Sequence, residues 1–194
     1  MIKLGVLGST NGTDLQHILG SISDGKLNAS VNIIISNKKN AKILQKGKKN
    51  NIHSVFMSHK GQSRKEFDQA ITKKLQAHGV QLILLIGFMR ILSGWFCRTW
   101  KNKLLNVHPS LLPKYAGGIN DSVHGDVLKN GDKITGCTIH QVTEKVDGGP
   151  ILIQKTCRVS TSDTIDTLKK RVQKLEGEAF VEAIQLIHKS AYAE

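Results

Sequence analysis

The first hundred residues alternate between short apolar runs and amphipathic segments, and this alternation constrains the fold more than any other feature of the sequence. Four apolar runs predict strands: Ile2–Leu7, Val31–Ser36, Ser54–Met57 and Gln81–Ile86. Three segments between them have the helical spacing of apolar positions: one carrying Leu15, Ile18, Leu19 and Ile22, a basic one at residues 40–49, and Lys65–His78. Strands and helices in alternation predict a parallel, doubly wound sheet of the α/β class.

After Gly87 the pattern changes. Three further strands are predicted: Leu104–Val107, and an antiparallel pair formed by Thr135–Val142 and Ile151–Val159. A last helix is predicted to start at a cap on Ser162 or Asp163 and to end near Lys189. The expected fold is a mostly parallel, Rossmann-like sheet with an antiparallel strand pair in the C-terminal half, and 194 residues suit one domain.

The chain is strongly basic, because 28 Lys and Arg against 15 Asp and Glu give a formal net charge of +13. Such a balance favours an anionic partner: a nucleic acid, an acidic membrane or a polyanionic metabolite. Aromatic residues make up only 5% of the chain, so the lysine clusters lack interleaved rings on which bases could stack. We therefore interpret the lysines as solvated faces and expect no nucleic-acid partner. A nucleic-acid-binding domain is the non-enzymatic alternative.

Cysteine usage and hydropathy bear on the compartment. The three cysteines, Cys97, Cys137 and Cys157, include no CxxC spacing, which argues against a disulfide framework or a zinc site and favours buried thiols in a reducing cytosol. No stretch of about 18 apolar residues exists, so no membrane span is expected. No charged segment, long apolar segment and small-residue cleavage site follow Met1, so no secretory signal is expected. These features predict a cytoplasmic protein.

A turn rich in small and polar residues, Gly8–Asp14, separates the first strand from the first helix. In a parallel sheet such a turn presents backbone N–H groups at a helix N-terminus, which suits a phosphate. It matches neither GxGxxG nor GxxxxGK(S/T), so it does not indicate a dinucleotide or a nucleoside triphosphate. The alternative, equally open at this point, is a turn in which Thr13 or Asp14 caps the helix.

Asn106 and His108 lie two residues apart at the end of a predicted strand. Alternation along the strand turns both side chains to one face, which in a doubly wound sheet meets the ligand crevice. An amide can donate to a developing oxyanion and an imidazole can exchange a proton near neutral pH, although a purely structural histidine would give the same spacing. Asp147 is either a turn residue or a carboxylate that approaches His108 and raises its pKa, and the spacing does not decide between them.

Three motifs together carry a family resemblance. They are Gly87-Phe88-Met89-Arg90-Ile91-Leu92, then Asn106-Val107-His108-Pro109-Ser110-Leu111-Leu112-Pro113-Lys114-Tyr115, and Val146-Asp147-Gly148-Gly149-Pro150. With them the chain resembles the folate-dependent formyltransferase family over nearly its whole length, and more narrowly the glycinamide ribonucleotide enzymes within it. The resemblance implies the formyltransferase fold and transfer of a formyl group from 10-formyltetrahydrofolate to the amine of glycinamide ribonucleotide in purine biosynthesis, by a monomer or homodimer.

The resemblance also implies roles for single residues. Asn106, His108 and Asp147 match the catalytic residues, of which the first two stabilise a tetrahedral oxyanion and the third keeps the imidazole charged. The ribonucleotide-binding positions are Gly12, Thr13, Asp14, Gln173 and Glu176. The folate-binding positions are Arg64, Met89, Arg90, Ile91, Leu92, Asn106, Thr143, Glu144 and Val146. No metal is implied. Residues 1–100 are expected to form the phosphate-binding half of a single domain, 1–194, and residues 101–194 its catalytic and folate-binding half.

Two departures from the family pattern border the expected amine site. Asp14 stands where the family usually has Asn, which brings a carboxylate near the substrate phosphate unless the side chain points outward. The loop at residues 116–123 differs from the common version and is a few residues longer. The alternatives within the family are a formyltransferase acting on an amino sugar or on methionyl-tRNA, and a formyltetrahydrofolate hydrolase.

Overall fold

A seven-stranded sheet runs through the centre of the computed structural model, which describes residues 1–118 and 120–191. The strands are β1 (Ile2–Leu7), β2 (Ala29–Ser36), β3 (Ser54–Phe56), β4 (Leu82–Leu85), β5 (Leu104–His108), β6 (Ile134–Gln141) and β7 (Ile151–Arg158). Their order across the sheet is β3-β2-β1-β4-β5-β6-β7. Neighbouring strands from β3 to β5 are parallel, whereas β6 is antiparallel to both β5 and β7. The predicted class and its antiparallel C-terminal pair are thereby confirmed.

Helices cover both faces of this sheet. They are α1 (Thr13–Ser23), α2 (Lys42–Lys49), α3 (Arg64–Ala77), α4 (Gly94–Thr99), α5 (Asn120–Lys129) and α6 (Ile165–Ala191). On one face α1, α2, α5 and α6 bury an apolar cluster that includes Leu15, Ile43 and Phe180, and on the other α3 and α4 bury Phe67 and Phe96. Each such side chain contributes about 1.5–3 kcal/mol by leaving water. Within the described ranges, no helix has the length and apolar character needed to cross a membrane.

The sequence predicted neither α4 nor α5. Six residues make fewer than two turns, so α4 is too short for a helical repeat of apolar positions to show. Ser93 nevertheless caps it by accepting a hydrogen bond from the Phe96 N–H at 3.3 Å. Helix α5 begins at Asn120, so the loop expected at residues 116–123 ends earlier than predicted, and residue 119 lies outside the described residues.

A cap at Thr13 or Asp14, the alternative left open for the start of α1, is wrong. Gly12 is the N-cap, in the left-handed region at φ 62°, and Thr13 and Asp14 are the first two helical residues. A Cβ at Gly12 would come within 2.5 Å of the Ile43 side chain. The turn therefore needs glycine both for its dihedral angle and for its close approach to α2.

The predicted cap of α6 is also wrong by one or two residues. Thr164, which directly precedes the helix, accepts a hydrogen bond from the Thr167 N–H at 3.2 Å. Asp163 instead accepts two hydrogen bonds of 2.8 Å from the Arg171 guanidinium. Asp163 Oδ1 also accepts from the Thr167 hydroxyl at 2.9 Å, so Asp163 contacts a side chain of the first turn while the backbone N–H of Thr167 is capped by Thr164.

The strand order reverses at β1. The chain continues from β1 to β2 and β3 on one side, whereas β4 and β5 lie on the other side. Loops therefore leave the carboxyl ends of β1 and β4 in opposite directions. In open α/β sheets the crevice that results is where ligands bind.

Candidate active site

A cleft of about 390 Å³ opens at the carboxyl ends of β1, β4 and β5, and its volume is in the range of small-ligand sites. Its lining includes Leu85–Leu92, which begins at the last residue of β4, and Asn106–Pro109, which spans the end of β5. The side formed by α1 and α6, here the α1/α6 side, contributes Thr10, Thr13, Asp14, Gln173 and Glu176. The segment after β6, here the 142–147 side, lines the cleft together with Met89, Arg90, Ile91 and Leu92.

Asn106 and His140 face each other across β5 and β6. They are partners in the antiparallel ladder, and Asn106 Nδ2 lies 3.1 Å from His140 Nε2. His140 Nδ1 is 3.0 Å from the Gln141 carbonyl oxygen, which can only accept, so Nδ1 carries the ring hydrogen. His140 Nε2 then accepts from the Asn106 amide. The amide has a second hydrogen, which is left for another acceptor.

Asp147 places a carboxylate between two imidazoles. Its Oδ2 lies 3.3 Å from His108 Nδ1, and its Oδ1 lies 3.5 Å from His140 Nε2. All three side chains are largely buried, with Asp147 11% exposed and the histidines 4% or less. Asp147 has a left-handed φ of 50°, a conformation that Asp tolerates better than most residues. The approach of Asp147 to His108, which the sequence left open, is present in the fold.

The loop that follows β5 closes over the same cluster. His108 Nε2 lies 2.9 Å from the Tyr115 carbonyl oxygen and donates to it. The Gly117 N–H donates to Asp147 Oδ2 at 2.8 Å. The loop is itself held in place, because the Tyr115 hydroxyl donates to Asp132 at 2.9 Å. Main-chain groups of the loop thus contact both members of the carboxylate–imidazole pair.

Burial and local polar groups act in opposite directions on this pair. Burial lowers the pKa of His108, and the Asp147 carboxylate and the Tyr115 carbonyl offset only part of that effect. Asp147 raises the pKa of His108, as expected, but burial has the larger effect, so the charged imidazole that the resemblance implied is wrong for the resting protein. Burial raises the pKa of Asp147, but the His140 imidazole, whenever Nε2 carries a proton, and the Gly117 N–H outweigh burial and leave that pKa below its usual value. At neutral pH the resting pair is an ionised Asp147 beside a neutral His108.

On the α1/α6 side, Asp14 points into the protein rather than outward. It is 5% exposed, and Glu176, which lines the same side of the cleft, is 7% exposed. Burial raises the pKa of Asp14 to about 7, although Glu176 and the charge of Lys46 act to lower it. Burial also raises the pKa of Glu176 well above its usual value. The carboxylate that the sequence placed near a phosphate therefore lies in a partly protonated pair.

The 142–147 side of the cleft has an apolar rim. Met89, Ile91 and Val146 are each about half exposed, at 46%, 59% and 52%. The Arg90 guanidinium lies over the Phe67 ring, 4.8 Å from its centroid. An open rim of this kind suits a flat, partly apolar ligand that leaves one end in water.

Most of the residues singled out in the sequence line this cleft. They are Thr13, Asp14, Met89, Arg90, Ile91, Leu92, Asn106, His108, Thr143, Glu144, Val146, Asp147, Gln173 and Glu176. Gly12 and Arg64 do not: Gly12 caps α1, and Arg64 is exposed at the first turn of α3. Glu144 is paired with Arg98 of α4. Among the described His, Cys, Asp and Glu residues, no group of three or more is arranged to hold a metal ion.

Sequence reasoning missed His140. His140 is 2% exposed and follows Thr138 by two residues in β6, so alternation alone would have placed both side chains on one face. Its importance comes from the register that sets it opposite Asn106. Register between strands distant in sequence depends on the whole sheet, and a local pattern does not contain it.

Comparison with known sequences gives one family. The family model described as "Formyl transferase" matches residues 2–184. The chain is 41% identical over 191 residues to the trifunctional purine biosynthetic protein adenosine-3 of Gallus gallus, covering 98% of this chain and 19% of that protein. It is 33% identical to the phosphoribosylglycinamide formyltransferase of Bacillus subtilis, covering 95% of this chain and 94% of that protein. The chain thus spans less than a fifth of the trifunctional relative and nearly all of the bacterial one.

Comparison with solved structures agrees. The glycinamide ribonucleotide transformylase 1 of Symbiobacterium toebii superposes with a TM-score of 0.93 at 37% identity, over 98% of this chain and 89% of that one. The phosphoribosylglycinamide formyltransferase of Coxiella burnetii, solved in complex with CHES, superposes with a TM-score of 0.89 at 35% identity, over 94% and 85% of the two chains. Sheet order and helix placement are therefore shared with these structures.

Proposed function

Because the chain belongs to the formyl transferase family, we propose that it transfers the formyl group of 10-formyltetrahydrofolate to the amine of glycinamide ribonucleotide, a step of de novo purine biosynthesis. The observation that carries the proposal is the cluster formed by Asn106, His108, His140 and Asp147. Relatives named phosphoribosylglycinamide formyltransferase support the choice of the amine.

The reaction requires stabilisation of an oxyanion. The lone pair of the amine attacks the formyl carbon, and the electrons of the C=O π bond move to oxygen to give a tetrahedral intermediate. In the proposed mechanism an amide N–H of Asn106 and an imidazole N–H of His108 donate to that oxygen. The carbonyl forms again as the bond from carbon to the folate nitrogen breaks, and the amine's proton passes to that nitrogen. Loss of one oxyanion donor typically costs about 100- to 1000-fold in rate.

Asp147 acts on this step through His108. As negative charge develops on the substrate oxygen, the neutral imidazole takes up a proton from water and returns it when the carbonyl forms again; while doubly protonated, His108 directs its Nδ1–H toward Asp147 Oδ2, 3.3 Å away. The lowered pKa of Asp147 keeps the carboxylate ionised at neutral pH. His140 contacts both Asn106 and Asp147, so we assign it as a positioning residue.

The two sides of the cleft suit the two substrates. We assign the phosphate to the turn Gly12–Asp14, which offers backbone N–H groups at the start of α1, with Gln173 and Glu176 beside it. We assign the folate to Asn106 and the 142–147 side, with these residues: Arg64, Met89, Arg90, Ile91, Leu92, Thr143, Glu144 and Val146. In this scheme both halves of the chain contribute to each subsite. The proposed chemistry uses no metal, because an unprotonated amine is already a nucleophile.

The test is a turnover assay with purified protein, 10-formyltetrahydrofolate and one acceptor at a time. The acceptors are glycinamide ribonucleotide, a nucleotide amino sugar, methionyl-tRNA and water alone. We expect the donor to be consumed only with glycinamide ribonucleotide, with tetrahydrofolate released in equal amount and followed by absorbance. Consumption with water alone would assign a hydrolase, and consumption with another acceptor would assign that substrate. A folded protein with no turnover on any acceptor rejects the proposal.

A further inference from the structure

Helix α4 connects the two walls of the proposed folate subsite, which are residues 89–92 and the 142–147 side. The helix begins shortly after residues 89–92 in the chain. Its Cys97 lines the cleft and donates its S–H to the Thr143 carbonyl oxygen at 3.5 Å, and its Arg98 is paired with Glu144. A shift of α4 would therefore change the spacing of the two walls.

Two side chains of α3 hold the two ends of α4. At the start of α4, Asp68 Oδ2 accepts a hydrogen bond of 2.6 Å from the backbone N–H of Ser93, the N-cap. At its end, the Trp100 indole N–H donates to the Thr72 hydroxyl at 3.2 Å. Asp68 and Thr72 are four residues apart on α3, so they lie on one face of that helix, and both are buried. The position of α4 therefore depends on α3.

Asp68 is a costly residue for a purely structural contact. It is 1% exposed, and among the described residues it forms no ion pair. Its second oxygen, Oδ1, is buried and has no hydrogen-bond partner in the part of the chain that the structure describes, and such an atom lowers stability. Asp68 is not among the described residues that line the cleft, so it can act on a ligand only through the elements that it holds.

We propose that Asp68 is a positioning residue for the folate subsite: its hydrogen bond to Ser93 fixes the start of α4, and α4 fixes the spacing of the two walls. The proposal rests on the proposed function, because it takes a reduced folate as the ligand of this side. Without the bond the start of α4 is free to shift, and the walls hold the folate less tightly. The α1/α6 side is built from other elements, so affinity for the ribonucleotide should not change.

The test combines titration calorimetry with 5-formyltetrahydrofolate, a stable reduced folate, and measurement of kcat and both KM values of the transfer reaction. Asp68→Ala removes the acceptor of the Ser93 N–H and is expected to raise the folate Kd and the folate KM by about tenfold. We expect kcat and the ribonucleotide KM to stay near their wild-type values. Asp68→Asn keeps an oxygen that accepts from Ser93 and is expected to restore the wild-type Kd. Should Asp68→Ala fail to fold, Asp68→Leu, which fills the same space without an acceptor, takes its place with the same expectation.

Ile184→Val is the control for a loss of stability alone, because Ile184 is a fully buried residue of α6 outside the cleft lining. It is expected to lower the melting temperature and to leave the folate Kd and both KM values unchanged. A merely structural Asp68 would give the same result.

A wild-type folate Kd in a folded Asp68→Ala protein, or an equal rise in both KM values, overturns the positioning role while the formyltransferase proposal stands. So does an Asp68→Asn protein that fails to restore the Kd, because the hydrogen bond would then not be what matters. Absence of folate binding by the wild type, together with absence of turnover, removes both proposals.

Discussion

His108 stands between two acceptors in the resting molecule, the Asp147 carboxylate at Nδ1 and the Tyr115 carbonyl at Nε2. A neutral imidazole has one N–H, so only one of these contacts is a hydrogen bond until a second proton arrives. Burial disfavours that proton, as the lowered pKa of His108 reflects. His108 can therefore accept a second proton, and a nearby oxyanion would favour that protonation.

Replacing His108 by Ala is expected to lower kcat by at least about 100-fold, because one oxyanion donor is removed. The fold should survive, since the site is a cleft that can admit water. Turnover and melting temperature are measured together, with His53→Ala as the control, because His53 is exposed and does not line the cleft. A His108→Ala enzyme that keeps more than about a tenth of the wild-type rate contradicts the assigned role.

Asp147→Asn tests the charge of the carboxylate separately from its shape. Asn tolerates the left-handed φ of residue 147, so the turn should be kept while stabilisation of the imidazolium is lost. We expect kcat to fall by about 100-fold. Asp24→Asn, an exposed acid paired with Lys26, is the control and should leave the rate unchanged. A near-normal rate in Asp147→Asn would show that the charge is dispensable.

The lowered pKa of Asp147 also has a consequence for stability. A carboxylate whose pKa is lower in the folded than in the unfolded protein stabilises the fold above its unfolded pKa of about 3.9, and that contribution disappears as pH falls through the folded pKa. Wild type should therefore melt above Asp147→Asn at pH 7, and the two melting temperatures should converge in acid. A difference that is constant from pH 7 to pH 3 would assign the effect to packing instead.

At the scale of elements, the turn between β6 and β7 carries Asp147, the only carboxylate of the four-residue cluster. It leaves no room for a larger side chain at Gly149. A Cβ at Gly149 would lie 1.8 Å from the Gln141 carbonyl oxygen, at the end of β6. The turn must therefore pass directly against the strand that holds His140. This contact between the backbone of the turn and the backbone of β6 fixes the position of Asp147 relative to the two imidazoles.

Gly149→Ala is expected to destabilise the fold by about 1–3 kcal/mol and to lower kcat, because the turn must shift and takes Asp147 with it. Melting temperature and turnover are the readouts. Gly20→Ala, in α1 with no atom within 4 Å of the added Cβ, should be neutral or slightly stabilising. Equal melting temperatures for the two variants would mean that the turn is freer than its contacts indicate.

Elements with a strong repeat were predictable, and elements without one were not. Strand β4 shows as an unbroken apolar run because both of its faces are buried, and α3 shows as apolar residues four apart. Helix α4 has too few residues to repeat, and the expectation of a loop across residues 116–123 concealed the start of α5. The cap at Thr164 was missed because Ser162 and Asp163 are chemically just as suitable.

The candidate site was predictable where a motif is continuous and not where it depends on register or burial. Asn106 and His108 share a face through simple alternation. His140 joins them only through pairing of β5 with β6. The direction of the pKa shift at His108, and the inward orientation of Asp14, depend on how deeply each group is buried, which no local pattern reports.

At the scale of the whole molecule, the buried acid pair should make stability depend on pH in the direction opposite to Asp147. Burial raises the pKa of Asp14 from 3.8 to about 7, so between these values the folded protein binds more protons than the unfolded one. The free energy of unfolding therefore falls as pH rises through this range. Asp14→Asn should flatten the fall and melt above the wild type at pH 8. Parallel melting curves from pH 5 to pH 8 would rule out this contribution.

The hydrogen bond from His108 to the Tyr115 carbonyl bears on the rate of turnover. The Nε2–H that the proposed mechanism directs at the substrate already donates to a backbone carbonyl, that of Tyr115. In each catalytic cycle, the hydrogen bond from His108 to the Tyr115 carbonyl must break before one to the substrate can form. The hydrogen bond from the Tyr115 hydroxyl to Asp132 resists movement of that carbonyl. Chemistry at the imidazole and mobility of the loop would thus share control of the turnover number.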